Sequence, residues 1–261
     1  MKKDLWKRAW FRRCVYFASL FVIWSALCAT GRFSSLLLPS PLTVFRSLYD
    51  GLSSGTLLQM TWYSLYLILY GLVISFALAG LLTTLAIVNP WARDIIQSIV
   101  AVVDPLPGIA LLPLAILWIG IGEGAIIFVI VHSVLWPVLL NTISGFENVP
   151  RMYREVGACI GLNPFAMILQ VYIPASFPSI LTGIKTGWAR AWRALISAEM
   201  VFGATGLTGG LGWDIYMKRS FMDLPGMFAT LLVIMFIGIL IEDIIFKNLE
   251  KNTLDRWGMR S

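Results

Sequence analysis

Charge is what this chain has least of. Asp, Glu, Lys and Arg together make up 13% of its 261 residues, against 58% hydrophobic, where a soluble domain carries about 25% charge. A surface so poor in charge cannot be covered by water, which leaves lipid as the solvent. Histidine is nearly absent too. His132 is the only one, so neither a His/Cys metal cage nor a membrane enzyme built on a His/Asp/Glu cluster is expected. The three cysteines, Cys14, Cys28 and Cys159, have no framework spacing and read as free thiols. No Gly-x-x-x-x-Gly-Lys-Ser/Thr occurs, so the chain lacks a loop of its own to cradle ATP phosphates. No cofactor and no enzymatic activity is expected of the chain itself. Internal repeats, solvated linkers and low-complexity tracts are also missing.

The charge that is present leans basic, with a formal net of +6. It clusters at the two ends, in Lys2, Lys3, Lys7, Arg8, Arg12 and Arg13 and again in Lys247, Lys251, Arg256 and Arg260. A nucleic-acid groove needs its cations on one solvated face. Here they flank apolar runs, so a membrane anchor is expected and nucleic acid is not.

Six segments are apolar over about the 20 residues that a crossing needs: 14–31, 63–88, 95–119, 124–141, 181–203 and 226–246. The first follows a basic start as a signal peptide would, but it is longer than an ordinary h-region, and an uncleaved span is expected. With the N-terminus inside, thirteen Lys or Arg residues fall on the cytoplasmic side: the ten just named, Arg93, Arg151 and Arg154. The outer side receives four, Arg32, Arg46, Lys218 and Arg219. That bias puts both termini in the cytoplasm. The expected organisation is a tail, first span and outer loop over 1–62, a core over 63–246 with a cytoplasmic loop at 142–180, and a tail over 247–261. The third span carries Asp104-Pro105-Leu106-Pro107, where missing N–H groups predict a kink or break. Gly71, Ser75, Ala79 and Thr83, and likewise Gly183, Gly187 and Ala191, make stripes of small residues that let helices approach closely. Such a seam serves packing within one chain or between two.

The loop between spans four and five reads as two short helices. Pro150 opens the first, and Gly161 supplies a left-handed cap at its end. Asn163-Pro164 is the cap and first turn of the second, which Pro174 is expected to end. Met152, Val156 and Cys159 or Ile160 share one face of the first helix. Nothing nearby in the sequence covers that face, and it suits a groove on a partner.

This stretch resembles the cytoplasmic EAA loop of permease subunits of ATP-binding-cassette importers. The pattern there is Glu-Ala-Ala, three residues, Gly, nine residues, Ile, one residue, Leu-Pro. Glu155, Gly161, Val171 and Ile173-Pro174 fall at those spacings, with Val156 and Gly157 in place of the two alanines. Pro107-Gly108 through Leu114, Trp118-Ile119-Gly120, Trp136-Pro137 through Thr142, Ala198-Glu199-Met200, Gly206 and the closing Leu254-Asp255-Arg256-Trp257 are similar to the nitrate/sulfonate/taurine-type permeases. The resemblance implies an all-α polytopic fold with six transmembrane helices, of the type I importer kind, in a bacterial inner membrane. It implies a homodimer of permeases, two cytoplasmic ATP-binding subunits that bind the ATP, and an extracytoplasmic solute-binding protein. Arg154, Glu155, Val156, Gly157, Gly161 and Pro174 would couple to the ATPase. Alternating access would follow, with ATPase closure transmitted through this loop to spans three to six.

Charges within a bilayer are costly and mark functional candidates. Asp104, Arg190, Arg193 and Glu199 qualify, and with Pro107 they are the expected translocation-pathway residues. Arg190 and Arg193 share a helix face. They either meet an anionic solute or pair internally with Asp104 or Glu199. His132 is expected as a hydrogen-bonded packing residue. The glycine-rich run Gly203 to Gly212 reads as a gate-like turn or as a plain flexible loop. The rival reading is a secondary transporter independent of any ATPase. It predicts internal repeats and buried carboxylates for ion coupling; the halves show no repeat, and Asp104 is the only Asp clearly inside a span.

Overall fold

The computed structural model describes residues 9–32, 34, 37–202 and 209–253. Most of the Gly203 to Gly212 run, the closing Leu254 to Trp257 and Lys2, Lys3, Lys7 and Arg8 lie outside these residues. Among the described residues the chain is helical, without strands. The expected first span is α1 (Ala9–Ala29), apolar from Val15 onward. A helix the sequence does not announce, α2 (Pro41–Ser53), follows it in the expected outer loop and is capped by the Ser40 hydroxyl.

The second span, α3 (Thr56–Val88), begins seven residues before the expected 63. Gly55 sets its start with φ +78°, a left-handed turn that suits glycine. A domain boundary at residue 62 would therefore cut a continuous helix. The third span is not a crossing rod. It divides into α4 (Pro90–Val103) and, after a tight turn at Gly108–Leu111, α5 (Leu112–Ile119), with a 90° bend between the arms. Fourteen residues reach only about 21 Å at 1.5 Å per residue, so α4 alone does not cross the hydrocarbon. Asp104-Pro105-Leu106-Pro107 is the cause, because two missing N–H groups within three residues leave no ladder to continue.

Helix α6 (Glu123–Glu147) is the axis of the fold, with Ala125, Ile126, Val129, Ile130, Val134 and Leu139 all buried. It runs six residues past the expected end at 141. Gly71 of α3 meets it so closely that a Cβ there would lie 2.4 Å from Ile130. Helix α7 (Arg151–Cys159) is a surface element. Helix α8 (Pro164–Met167) passes through a π turn at Ile168–Tyr172 straight into α9 (Ile173–Phe202). Pro174 therefore does not end the second loop helix. Its ring would collide with the carbonyl of Gln170 in a regular helix, and Gln170 sits in the widened π turn, where the ladder already departs from α geometry. Gly183 and Gly187 face α6, their would-be Cβ atoms 3.0 Å from the Pro137 carbonyl and 3.1 Å from Val134. Both small-residue stripes are thus seams within one chain.

Helix α10 (Leu211–Ser220) and α11 (Leu224–Leu240) follow, and a second π turn at Ile241–Phe246 leads to α12 (Lys247–Asn252). Among the described residues four stretches are long and apolar enough to cross a membrane: α3, α6, α8 through α9 and α11 through α12. The bent pair and α1 stand at the other two expected spans. Trp62, Trp91, Leu117 and Phe236 are among the large apolar side chains left on the outside, as a lipid-facing surface requires.

Candidate functional site

Two places gather the expected functional residues, and the first is α7. Its far end closes as the sequence predicts. Gly161 holds φ +77°, its N–H donates to the Ala158 carbonyl at 3.0 Å, and the Leu162 N–H donates to Gly157 at 3.1 Å. That pair of bonds is a Schellman closure. The Asn163 carboxamide oxygen then accepts from the Ala166 N–H at 2.8 Å and starts the next helix. Gly157 faces inward, against the root of α9, where a Cβ would stand 2.7 Å from the Met167 sulfur and 3.3 Å from Val171. The absence of a side chain at Gly157 therefore lets α7 lie close against that root. Met152, Tyr153, Val156 and Ile160 remain exposed, and a groove of about 350 Å³ runs between the last three and Gln170 and Pro174. Arg154 and Glu155 also point outward, and Glu155 accepts from Arg151 Nε at 2.7 Å. With 84% and 61% of those two side chains exposed, that pair adds little to stability.

The second place is a cavity of about 540 Å³ inside the bend of the broken span. The turn after α4 presses on α6, since a Cβ on Gly108 would stand 2.5 Å from the Ser133 hydroxyl. Asp104 and Pro107 from the bend, His132 and Trp136 from α6, and Arg190 and Arg193 from α9 line it. Arg190 Nη1 donates to Asp104 Oδ1 at 2.6 Å. The internal pair and the cavity-facing cation, set against each other in the sequence, are here the same residue. Arg193, three residues on, is exposed and has no partner among the described residues.

Two expectations need correction. Glu199 does not reach this cavity. It is 1% exposed and accepts from the Ser64 hydroxyl at 2.8 and 3.0 Å and from the Gly212 N–H at 2.8 Å. The Leu211 N–H in turn donates to Ser64 Oγ at 2.9 Å. Glu199 thus ties α3 and α9 to the start of α10. His132 does pack, edge-on to Trp136 with ring centroids 6.0 Å apart, but neither ring nitrogen makes a hydrogen bond. The sequence singled out His132 without assigning it to the pathway. His132 lines the cavity with Trp136, four residues on, and that i+4 spacing is the one sequence signal that groups the two.

Residues 71–255 match the family described as binding-protein-dependent transport system inner membrane component. A nitrate import permease protein of Synechocystis is 29% identical over 88% of this chain and 85% of its own. The taurine transport system permease protein of Escherichia coli is 29% identical over 86% and 82%. A chain named for aliphatic sulfonates transport in the same bacterium is 28% identical over 91% and 88%. Relatives that carry transport names over nearly the full length favour the importer over a secondary transporter. The chain belongs to the inner membrane components of binding-protein-dependent transport systems, and it is the multi-pass permease subunit of an importer served by a separate binding protein and an ATPase.

Proposed function

We propose that this permease forms the translocation path for a small organic or inorganic anion of the sulfonate, taurine or nitrate type. A soluble extracytoplasmic protein delivers that solute. Two copies of the chain assemble with two ATPase subunits, and each α7 docks in an ATPase groove. The reading rests above all on the exposed apolar face of α7. Its helix is capped at its end, pinned from below through Gly157, and uncovered by anything else among the described residues. A short apolar helix held rigidly against solvent has already lost its conformational entropy, so a partner groove gains its burial at little further cost. The solutes for which the relatives are named, nitrate, taurine and aliphatic sulfonates, are all anions or carry an anionic group, and the cavity lining contributes two guanidinium groups against one carboxylate.

Uptake of radiolabelled taurine, nitrate and ethanesulfonate into proteoliposomes containing the whole importer and its binding protein tests the solute class. One of them should accumulate only with internal ATP. Accumulation of none, with a neutral or cationic solute carried instead, would sink the anion reading. Orientation has its own test in Cys159, which is exposed beside the α7 face. In a chain with Cys14 and Cys28 changed to Ser, a membrane-impermeant maleimide should label Cys159 in inverted vesicles and leave it untouched in intact cells. Labelling from outside would place α7 on the wrong side for an ATPase.

A further inference from the structure

The cavity in the broken span holds one cation more than it has partners for. Arg190 is committed to Asp104. Arg193 lines the same space with no ion pair or hydrogen bond among the described residues, and Glu199, the nearest carboxylate along its helix, is committed to Ser64 and Gly212. Arg193 stands nine residues before Phe202, about 14 Å along the helix, too deep for its charge to be dismissed as an end-of-helix anchor. The two guanidinium groups, Arg190 and Arg193, against the one carboxylate, Asp104, leave the lining with one positive charge in excess. On the α6 wall three further atoms go unmatched: Nδ1 and Nε2 of His132, which is 8% exposed, and Nε1 of Trp136 are buried with no hydrogen-bond partner. Buried polar atoms are nearly always satisfied, so such a group beside a cavity calls for an occupant.

We infer that this cavity is an intramembrane binding site for a small organic monoanion with oxygen acceptors, a sulfonate or carboxylate head on a short tail. The inference deepens the anion-importer reading and rests on it. Arg193 is the standing contact and forms charge-assisted bonds to the head group. Arg190 is the exchangeable one, because an arriving oxyanion competes with Asp104 for the same guanidinium. His132 and Trp136 supply ring N–H donors as the wall shifts to admit the head. About 540 Å³ leaves room for a tail as well as a head, and Ile109 and Ala194 give that tail apolar walls. Asp104 makes occupancy reversible: it reclaims Arg190 when the anion leaves, so release does not leave that second guanidinium unpaired.

The test is isothermal titration of the permease–ATPase complex in lipid nanodiscs, without binding protein, using ethanesulfonate. Ethyl methyl sulfone serves as the uncharged counterpart at matched chloride. Saturable binding of the sulfonate and none of the sulfone is expected. Arg193→Gln should weaken it at least about tenfold, the loss expected for one charge-assisted contact, while Arg193→Lys should stay within about threefold. Asp104→Asn should tighten it about tenfold, by freeing Arg190. An intact complex with no saturable sulfonate binding overturns the site, as does Arg193→Gln binding like the unaltered chain. An unchanged Asp104→Asn overturns the exchange. Anion binding kept by a permease that holds no ATPase would support the site and sink the coupling reading beneath it.

Discussion

A Gly212→Ala chain should unfold in detergent far below the unaltered protein, losing on the order of 3–5 kcal/mol. A Cβ at this position would lie 2.3 Å from the Ile196 carbonyl oxygen and 2.7 Å from the Glu199 Cβ. The first neighbour is helix backbone and cannot swing aside. Helix α10 must lift away from α9, and the Gly212 N–H then leaves a carboxylate that is 1% exposed. Overpacking and a weakened bond to a buried charge therefore act together. Gly80, in the middle of α3, has open space where its Cβ would go, and Gly80→Ala should leave the melting temperature unchanged or raise it. Fluorescence-detected size exclusion and thermal melting of the two variants side by side check this. Equal melting temperatures would mean that the Glu199–Ser64–Gly212 network does not hold α10 in place.

That network also shows where sequence reasoning reached its limit. The cost of a charge in lipid is local, so Glu199 stood out as soon as its span was drawn. Its partner is not local: Ser64 is 135 residues away. Whether a buried carboxylate meets a solute or a serine depends on helix register, which no window of sequence contains. Features governed by nearest neighbours were legible in advance. The Asp-Pro-Leu-Pro break, the left-handed Gly161 and the Asn163-Pro164 start each follow from φ restrictions and missing N–H groups. Pro174 misled because its local rule, that proline stops a helix, was overridden by a π turn just upstream. The close packing of Gly157 was not legible either: motif position set it beside Glu155, and only the folded chain brings Met167 against it. The apolar face of α7 was readable from spacing alone, and it is the face that the structure leaves uncovered.

On the proposed docking, Val156→Asp should separate the permease from its ATPase almost completely. Val156 is 55% exposed at the middle of the α7 face, between Met152 and Ile160. It makes no contribution to the Schellman closure or to the Gly157 spacing that keeps the helix in place, so the membrane fold should survive the change. Interface centres carry most of the binding energy, with about 2–4 kcal/mol lost when one such contact is removed. A carboxylate buried there without a partner adds desolvation to that loss. Copurification with the ATPase should fall at least about thirtyfold by that measure, and binding-protein-stimulated ATP hydrolysis should fall with it. Arg151→Ala removes only the exposed pair to Glu155 and should leave both nearly unchanged, since such pairs contribute about 0–1 kcal/mol. The contrast is what makes the test specific. An ATPase that grips the loop through its charges would be lost with Arg151→Ala and retained with Val156→Asp, and that pattern would move the docking surface from the apolar face of α7 to its rim.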